Sequence, residues 1–187
     1  MKPAIEHPRI FISYAWGTQD YQDRVLALAK DLQMDGIEVL LDKWNLKEGH
    51  ETYAYMEQSV NDPSVTNVLL LLDPIYAKKA DDRSGGVGTE TQIISPEIYN
   101  KVTQEKFLPV VMERADDGSV HKPLYLKGLL HFDLSVAEKY DDEYQRLVKR
   151  LYGVEIYARP ELGNAPTWVT EDTPISSKRT AIQTLKK

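Results

Sequence analysis

The feature that most constrains this chain is an unbroken apolar run over residues 67–73, NVLLLLD, the most hydrophobic stretch of the sequence. A strand with one face in water alternates apolar and polar residues, whereas a strand that is covered on both faces reads as a continuous apolar run. The run therefore predicts a central strand of a parallel sheet with helices packed on both of its faces.

Strand-like and helix-like segments alternate along the first 152 residues. In the first predicted helix, Val25, Leu28, Ala29 and Leu32 fall on one face. This alternation predicts a doubly wound α/β fold with about five parallel strands joined by right-handed crossovers. The predicted strands are 9–14, 37–42, 67–73, 106–112 and 129–134. The predicted helices are 19–35, 50–61, 89–102 (bent or broken at Pro96) and 136–152. We expect polar loops at 43–51 and 77–88.

Composition excludes several classes of protein. The chain has no cysteine, which rules out a disulfide framework, a thiolate zinc site and a cysteine nucleophile. The four histidines lack the spacing of metal ligands, and the net charge of −6 argues against nucleic-acid binding. The N-terminus has no signal-peptide core, and the longest apolar run is too short to span a bilayer. We expect a cytoplasmic protein without membrane contact.

The character of the sequence changes near its end. The last thirty or so residues contain three prolines and little periodicity. We therefore expect one domain over residues 1–152, followed by a proline-containing tail or linker over 153–187. That tail would lead to a further domain or to an artificial chain end.

Polar side chains stand where the first three predicted strands end. Ligands of doubly wound sheets bind at the carboxyl ends of the strands, which here carry Ser13, Tyr14, Asp42 and Asp73. These residues are therefore candidates for substrate binding. An alternative is structural: Ser13 and Tyr14 would support the end of the fold, and the two aspartates would form turns after their strands.

Four segments, in order, resemble the motifs of the TIR and SEFIR domain family. They are RIFISYAW (9–16), GIEVLLDKWNLKEGH (36–50), VLLLLDPIYAKKADDRSGGVGTETQII (68–94) and KFLPVVME (106–113). Asp42, Trp44 and Leu46 form a pattern similar to that of SEFIR and bacterial TIR proteins. The resemblance covers about residues 8–152 and implies a flavodoxin-like TIR fold. A flavodoxin or a response regulator would share the sheet, but their acidic-pocket and phosphate-loop patterns are absent.

The resemblance implies two kinds of function. Some members are non-catalytic modules that assemble through like-with-like contacts. Others cleave the glycosidic bond of NAD⁺ as hydrolases or ADP-ribosyl cyclases, and many bacterial members act in anti-phage defence. In the catalytic members the essential residue resembles Glu90, which follows the glycine-rich residues 85–88. NAD⁺ is then the substrate, and no cofactor is expected.

A single carboxylate suits this chemistry. The transition state carries positive charge at the ribose, which a carboxylate stabilises, and nicotinamide leaves as a neutral molecule without a partner acid. The alternative for Glu90 is an exposed carboxylate that favours a helix N-terminus.

Aromatic and basic residues would complete a substrate site. Tyr14, Trp16 and Trp44 are candidates to stack on a ring of the substrate, and Arg83 is a candidate binding residue. In the alternatives, Trp16 caps the core, Trp44 anchors a partner domain and Arg83 is a solvated loop charge. The segment from Lys43 to His50, which matches the BB loop of the family, sets Trp44 and Leu46 among polar residues and predicts contacts in a homo-oligomer. A partner effector domain or protein is also expected.

Overall fold

The computed structural model describes residues 4–82, 93–157, 159–166 and 169. Its centre is a parallel five-stranded sheet of order β2-β1-β3-β4-β5, which confirms the predicted α/β fold. The strands are β1 (Arg9–Tyr14), β2 (Glu38–Leu40), β3 (Asn67–Leu72), β4 (Phe107–Val111) and β5 (Phe132–Asp133). The helices are α1 (Gln19–Met34), α2 (Asp42–Asn45), α3 (Thr52–Asn61), α4 (Pro74–Asp82), α5 (Pro96–Lys101) and α6 (Tyr140–Leu151). Short 3₁₀ turns lie at Gln104–Lys106, Leu124–Leu126 and Ala137–Lys139.

The apolar run forms the central strand, as the sequence predicts. β3 pairs in parallel with β1 on one side and β4 on the other, and all of its residues are buried. Alternate side chains enter two separate apolar clusters. Leu71 joins the cluster beneath α1 and α6, and Leu70 joins the cluster beneath α3, α4 and α5. Burial on both faces stabilises each leucine by about 1.5–3 kcal/mol and explains why the run does not alternate.

The first helix follows its predicted bounds closely. The side chain of Thr18 accepts a hydrogen bond from the backbone N–H of Tyr21 at 3.2 Å, which caps the N-terminus of α1. Beyond the other end, Gly36 has a φ of 84°, a conformation that a side chain disfavours. A Cβ atom at Gly36 would also lie 2.8 Å from the hydroxyl of Tyr152, so this turn fits only glycine.

The predicted loop over residues 77–88 is wrong for its described part, because residues 77–82 belong to α4. Asp73 accepts a hydrogen bond from the N–H of Tyr76 at 2.6 Å, and Pro74 takes the first helical position. Tyr76, Ala77 and Ala80 are buried on one face of the helix. The run of charged residues on the other face hides this stripe in the sequence. Residues 83–88 lie outside the described part of the chain.

Other predicted boundaries need correction. The fifth strand, expected over residues 129–134, spans only Phe132–Asp133. The loop expected over residues 43–51 begins inside α2, a single helical turn. The helix expected over residues 89–102 is broken at Pro96, one of the two forms predicted, because residues 93–95 are not helical. The helix α5 begins at Pro96, with the Ser95 hydroxyl accepting from the N–H of Ile98 at 3.3 Å. Proline at a helix start needs no hydrogen-bond partner for its nitrogen, which accounts for the new boundary.

The chain divides into two units, Met1–Ile156 and Tyr157–Lys187, and most of the second lies outside the described residues. The domain boundary after residue 152 stays a prediction. Within the ranges given above, no helix has the length and apolar character needed to cross a bilayer.

Candidate functional site

A buried carboxylate at the carboxyl ends of β1 and β2 brings three of the predicted site residues together. The hydroxyl of Tyr14 donates to the two carboxylate oxygens of Asp42 at 2.9 and 3.1 Å. The indole N–H of Trp16 donates to Asp42 Oδ2 at 2.8 Å, and the backbone N–H of Lys43 donates to Oδ1 at 2.7 Å. We call Tyr14, Trp16 and Asp42 the Asp42 cluster. Its carboxylate is only 4% exposed and is stabilised by these donors.

The local fold explains this convergence. Tyr14 is the last residue of β1, and Asp42 follows β2 and begins α2. The two strands are parallel neighbours in the sheet, so their carboxyl ends meet at one edge. Burial, followed by the charge of Asp42, raises the pKa of Tyr14 well above its usual value. The phenol therefore keeps its proton and remains a hydrogen-bond donor to Asp42.

A cavity of about 360 Å³ opens over the Asp42 cluster. The indole of Trp16 is 45% exposed, so its ring meets solvent while its N–H is held by Asp42. The cavity is also lined by Gln22, which the sequence did not single out, and by three residues of the segment predicted to make oligomer contacts, Lys47, Glu48 and His50. The signal that could have found the last three is their place in the segment that directly follows β2.

The other tryptophan of the predicted site lies elsewhere. Trp44 is 40% exposed and is not among the described residues that line this cavity. It sits in the single turn α2, between Lys43 and Asn45. Trp44 therefore belongs to the segment from Lys43 to His50 but is not one of the residues of that segment that line the cavity.

Asp73 stands at the same edge of the sheet but is built into the fold. It is 2% exposed, and its carboxylate caps α4 through the N–H of Tyr76. A Cβ atom at Gly17 would lie 3.8 Å from Asp73 Oδ2, so the loop after β1 passes directly over this carboxylate. Burial raises the pKa of Asp73 to about 6; the Tyr76 N–H opposes this, and the charge of Glu113 adds to it.

Ser13 points to the opposite face of the sheet from Tyr14, because side chains alternate along a strand. It is fully buried, and its hydroxyl lies 3.0 Å from the hydroxyl of Tyr76. The Tyr76 oxygen also accepts from the N–H of Ile94 at 3.2 Å. Ser13 thus joins β1 to α4 and to the segment before α5.

Glu90 and Arg83 lie outside the described residues, as does the glycine-rich segment 85–88. Their catalytic and binding roles stay predictions. In the part of the chain that is described, no cluster of three or more histidine, aspartate or glutamate side chains could hold a metal ion. A larger cavity of about 830 Å³, which Arg9 and Asp62 help to line, lies beside α3.

The raised pKa of Asp73 makes stability depend on pH. The folded protein binds a proton at Asp73 below about 6, whereas the ordinary value of this carboxyl is 3.8. Between these values the folded state holds more protons than the unfolded state, so the stabilising contribution falls as pH rises through the window. We expect Asp73→Asn, which keeps a capping side chain, to gain stability relative to wild type as pH rises from 4 to 7. Urea unfolding of both proteins at several pH values measures this difference. A constant difference would contradict the prediction.

Comparison with known proteins gives matches over most of the chain. The family model for the TIR domain matches residues 10–148. The crystal structure of a prokaryotic SEFIR domain is similar with a TM-score of 0.69 and 37% identity, over 84% of this chain and 99% of that one. The TIR domain of the Toll-related receptor TRR-2 from Hydra magnipapillata is similar in fold, with a TM-score of 0.51 and 12% identity, over 76% of this chain and 96% of that one. No curated protein matches the sequence.

Proposed function

Because the chain belongs to the TIR/SEFIR family of signalling domains, we propose that it cleaves the glycosidic bond of NAD⁺, with Glu90 as the catalytic carboxylate. Water or a group of the substrate itself attacks the ribose carbon. The bonding electron pair leaves with nicotinamide, and the other product is ADP-ribose or its cyclic form. We place this activity in cytoplasmic signalling, with anti-phage defence as the setting that the resemblance suggests.

The observation that carries the proposal is the cavity over the Asp42 cluster. Its volume of about 360 Å³ falls within the range of small-molecule sites, roughly 300–1,000 Å³. Trp16 offers an exposed ring whose orientation is held by Asp42, which suits stacking on nicotinamide or adenine. Lys43 and Lys47 line the same cavity and provide positive charge for a diphosphate.

The strand-end carboxylates leave the catalytic role to another residue. Asp42 accepts hydrogen bonds from Tyr14, Trp16 and the backbone of Lys43, so its charge is already stabilised. Asp73 caps α4 beneath the loop after β1. Both strand-end carboxylates are therefore engaged in contacts within the fold, and the family resemblance supplies Glu90 as the candidate for the catalytic role.

The proposed activity is tested by incubating the purified protein with NAD⁺ at low and high protein concentration and identifying the products by chromatography. We expect nicotinamide together with ADP-ribose or a cyclic product. We also expect the rate per molecule to rise with protein concentration, because assembly promotes activity in this family. The absence of nicotinamide at both concentrations would overturn the proposal.

A second candidate function, assembly with other TIR domains, is favoured by the exposure of Trp44. Large aromatic side chains at interface centres contribute much of the binding free energy. Lys43 and Lys47 flank Trp44 in the sequence, and charged residues are typical of the rim of an interface. We expect the surface around Trp44 to bind a second TIR copy or a related partner. This assembly is compatible with catalysis in the neighbouring cavity.

We expect Trp44→Ala to weaken self-association by about tenfold, because loss of a central tryptophan commonly costs more than 1 kcal/mol of binding free energy. Light scattering across a dilution series measures the effect. Met34→Ala is the matched control, since Met34 is an 83% exposed apolar residue at the end of α1. Unchanged association of the Trp44 variant, or an equal loss in the control, would contradict an interface at Trp44.

A further inference from the structure

A further cavity, of about 490 Å³, lies between α4 and the segment that joins β4 to β5. It shares no described residue with the cavity over the Asp42 cluster. The helix contributes Lys78 and Asp81 to its wall, and the joining segment contributes His121, Lys122, Lys127 and His131. We call this the basic cavity.

Positive charge dominates the described walls of the basic cavity. Three lysines and two histidines face one carboxylate, that of Asp81. Asp81 Oδ1 also accepts a hydrogen bond from the backbone N–H of Leu124 at 2.8 Å, which engages part of its acceptor capacity. This surplus of cations is local, because the chain as a whole has a net charge of −6.

One of the cationic side chains, that of Lys122, is held in place by the fold. The ammonium group of Lys122 donates to the carbonyl oxygen of Leu129 at 2.7 Å, and an ammonium has further protons to donate. Burial lowers the pKa of Lys122. Burial and then the charge of Lys122 lower the pKa of His131; Arg114 acts in the same direction, and Asp133 and Glu143 act against it. An anion between these groups would stabilise the protonated form of each.

We propose that the basic cavity binds a small phosphate-bearing molecule of the nucleoside diphosphate class. Several cations around one concave site match the spread charge of a diphosphate. Pro74, Ala77 and Val120 add apolar wall for an uncharged part of the ligand. A small molecule fits better than a nucleic acid, because the negative charge of the whole chain repels an extended polyanion.

The test follows the imidazole signals of His121 and His131 by NMR while inorganic pyrophosphate is added to the full chain at constant ionic strength. We expect saturable shifts and a higher pKa for His131 in the bound state. Lys78→Gln and Lys127→Gln should each weaken binding by about fivefold, since each removes a charged hydrogen-bond donor. Both side chains are exposed, so these variants should fold normally.

Lys30→Gln, which removes an exposed lysine of α1, is the matched control and should bind pyrophosphate as the wild type does. Titrations with orthophosphate, ADP and a short single-stranded oligonucleotide separate the ligand classes. We expect ADP and pyrophosphate to bind more tightly than orthophosphate. The proposal is overturned if the shifts do not saturate, if Lys30→Gln weakens binding as much as Lys78→Gln, or if the oligonucleotide binds more tightly than ADP.

Discussion

Replacing Glu90 with glutamine is expected to lower the rate of nicotinamide release by at least about a hundredfold, the typical effect of removing one charge-stabilising group from an active site. Glutamine keeps the shape of the side chain but loses the negative charge that would face the developing oxocarbenium ion. Nicotinamide departs as a neutral molecule, so the reaction needs no partner acid. The mechanism therefore contains no second carboxyl group that could compensate for the loss of Glu90. The loss should appear in kcat rather than in KM, because the interaction strengthens only in the transition state.

Steady-state assays of nicotinamide release, with unfolding curves to verify that the variant is folded, measure this effect. Glu97→Gln is the matched control, since Glu97 is the other acid in the same stretch of sequence and should retain nearly full activity. If Glu90→Gln released nicotinamide at the wild-type rate, the catalytic assignment would fail. If both variants lost activity equally, the effect would belong to the segment as a whole rather than to the carboxylate of Glu90.

The sequence predicts the sheet well because burial dictates residue type there. The strand Asn67–Leu72 has helices on both faces, which favours the apolar residues found from Val68 to Leu72. The helix Pro74–Asp82 was missed for the opposite reason. Its buried stripe is made of Tyr76 and two alanines, and alanine contributes little to a hydrophobic pattern. Asp73 and Pro74, a cap followed by a favoured first residue, were the available signal.

The sequence predicts where the candidate site lies but not how its side chains contact one another. Parallel pairing of β1 and β2 is enough to put Tyr14 and Asp42 on one edge. The hydrogen bond from Trp16 to Asp42 depends instead on the path of the chain beyond the end of β1. The spacing of apolar residues in the sequence does not encode that path. Asp73 lies at the same edge of the sheet, but the loop at Gly17 covers it. The path of that loop is likewise not predictable from the sequence.

The Asp42 cluster should also be one of the main polar contributions to stability. We expect Asp42→Ala to lower the free energy of unfolding by about 3 kcal/mol, because each buried donor left without an acceptor costs about 1–3 kcal/mol. The free-energy cost of losing the Asp42 acceptor is largest at Tyr14, because its hydroxyl is fully buried. The cost at Trp16 is smaller, because its half-exposed ring can turn its N–H toward water. Urea unfolding monitored by fluorescence measures the change, and Asp142→Ala, at an exposed acid in the first turn of α6, is the control.

A double-mutant cycle separates the hydrogen bond from the carboxylate itself. In the wild type, Tyr14→Phe removes a donor to Asp42 and should destabilise the protein by about 1–2 kcal/mol. In the Asp42→Ala protein the same change removes a buried hydroxyl that has lost its Asp42 acceptor, so it should be neutral or stabilising. An equal cost of Tyr14→Phe in both proteins would mean that Asp42 and Tyr14 act independently. The hydroxyl of Tyr14 would then not help to fix the carboxylate that accepts the hydrogen bond from Trp16.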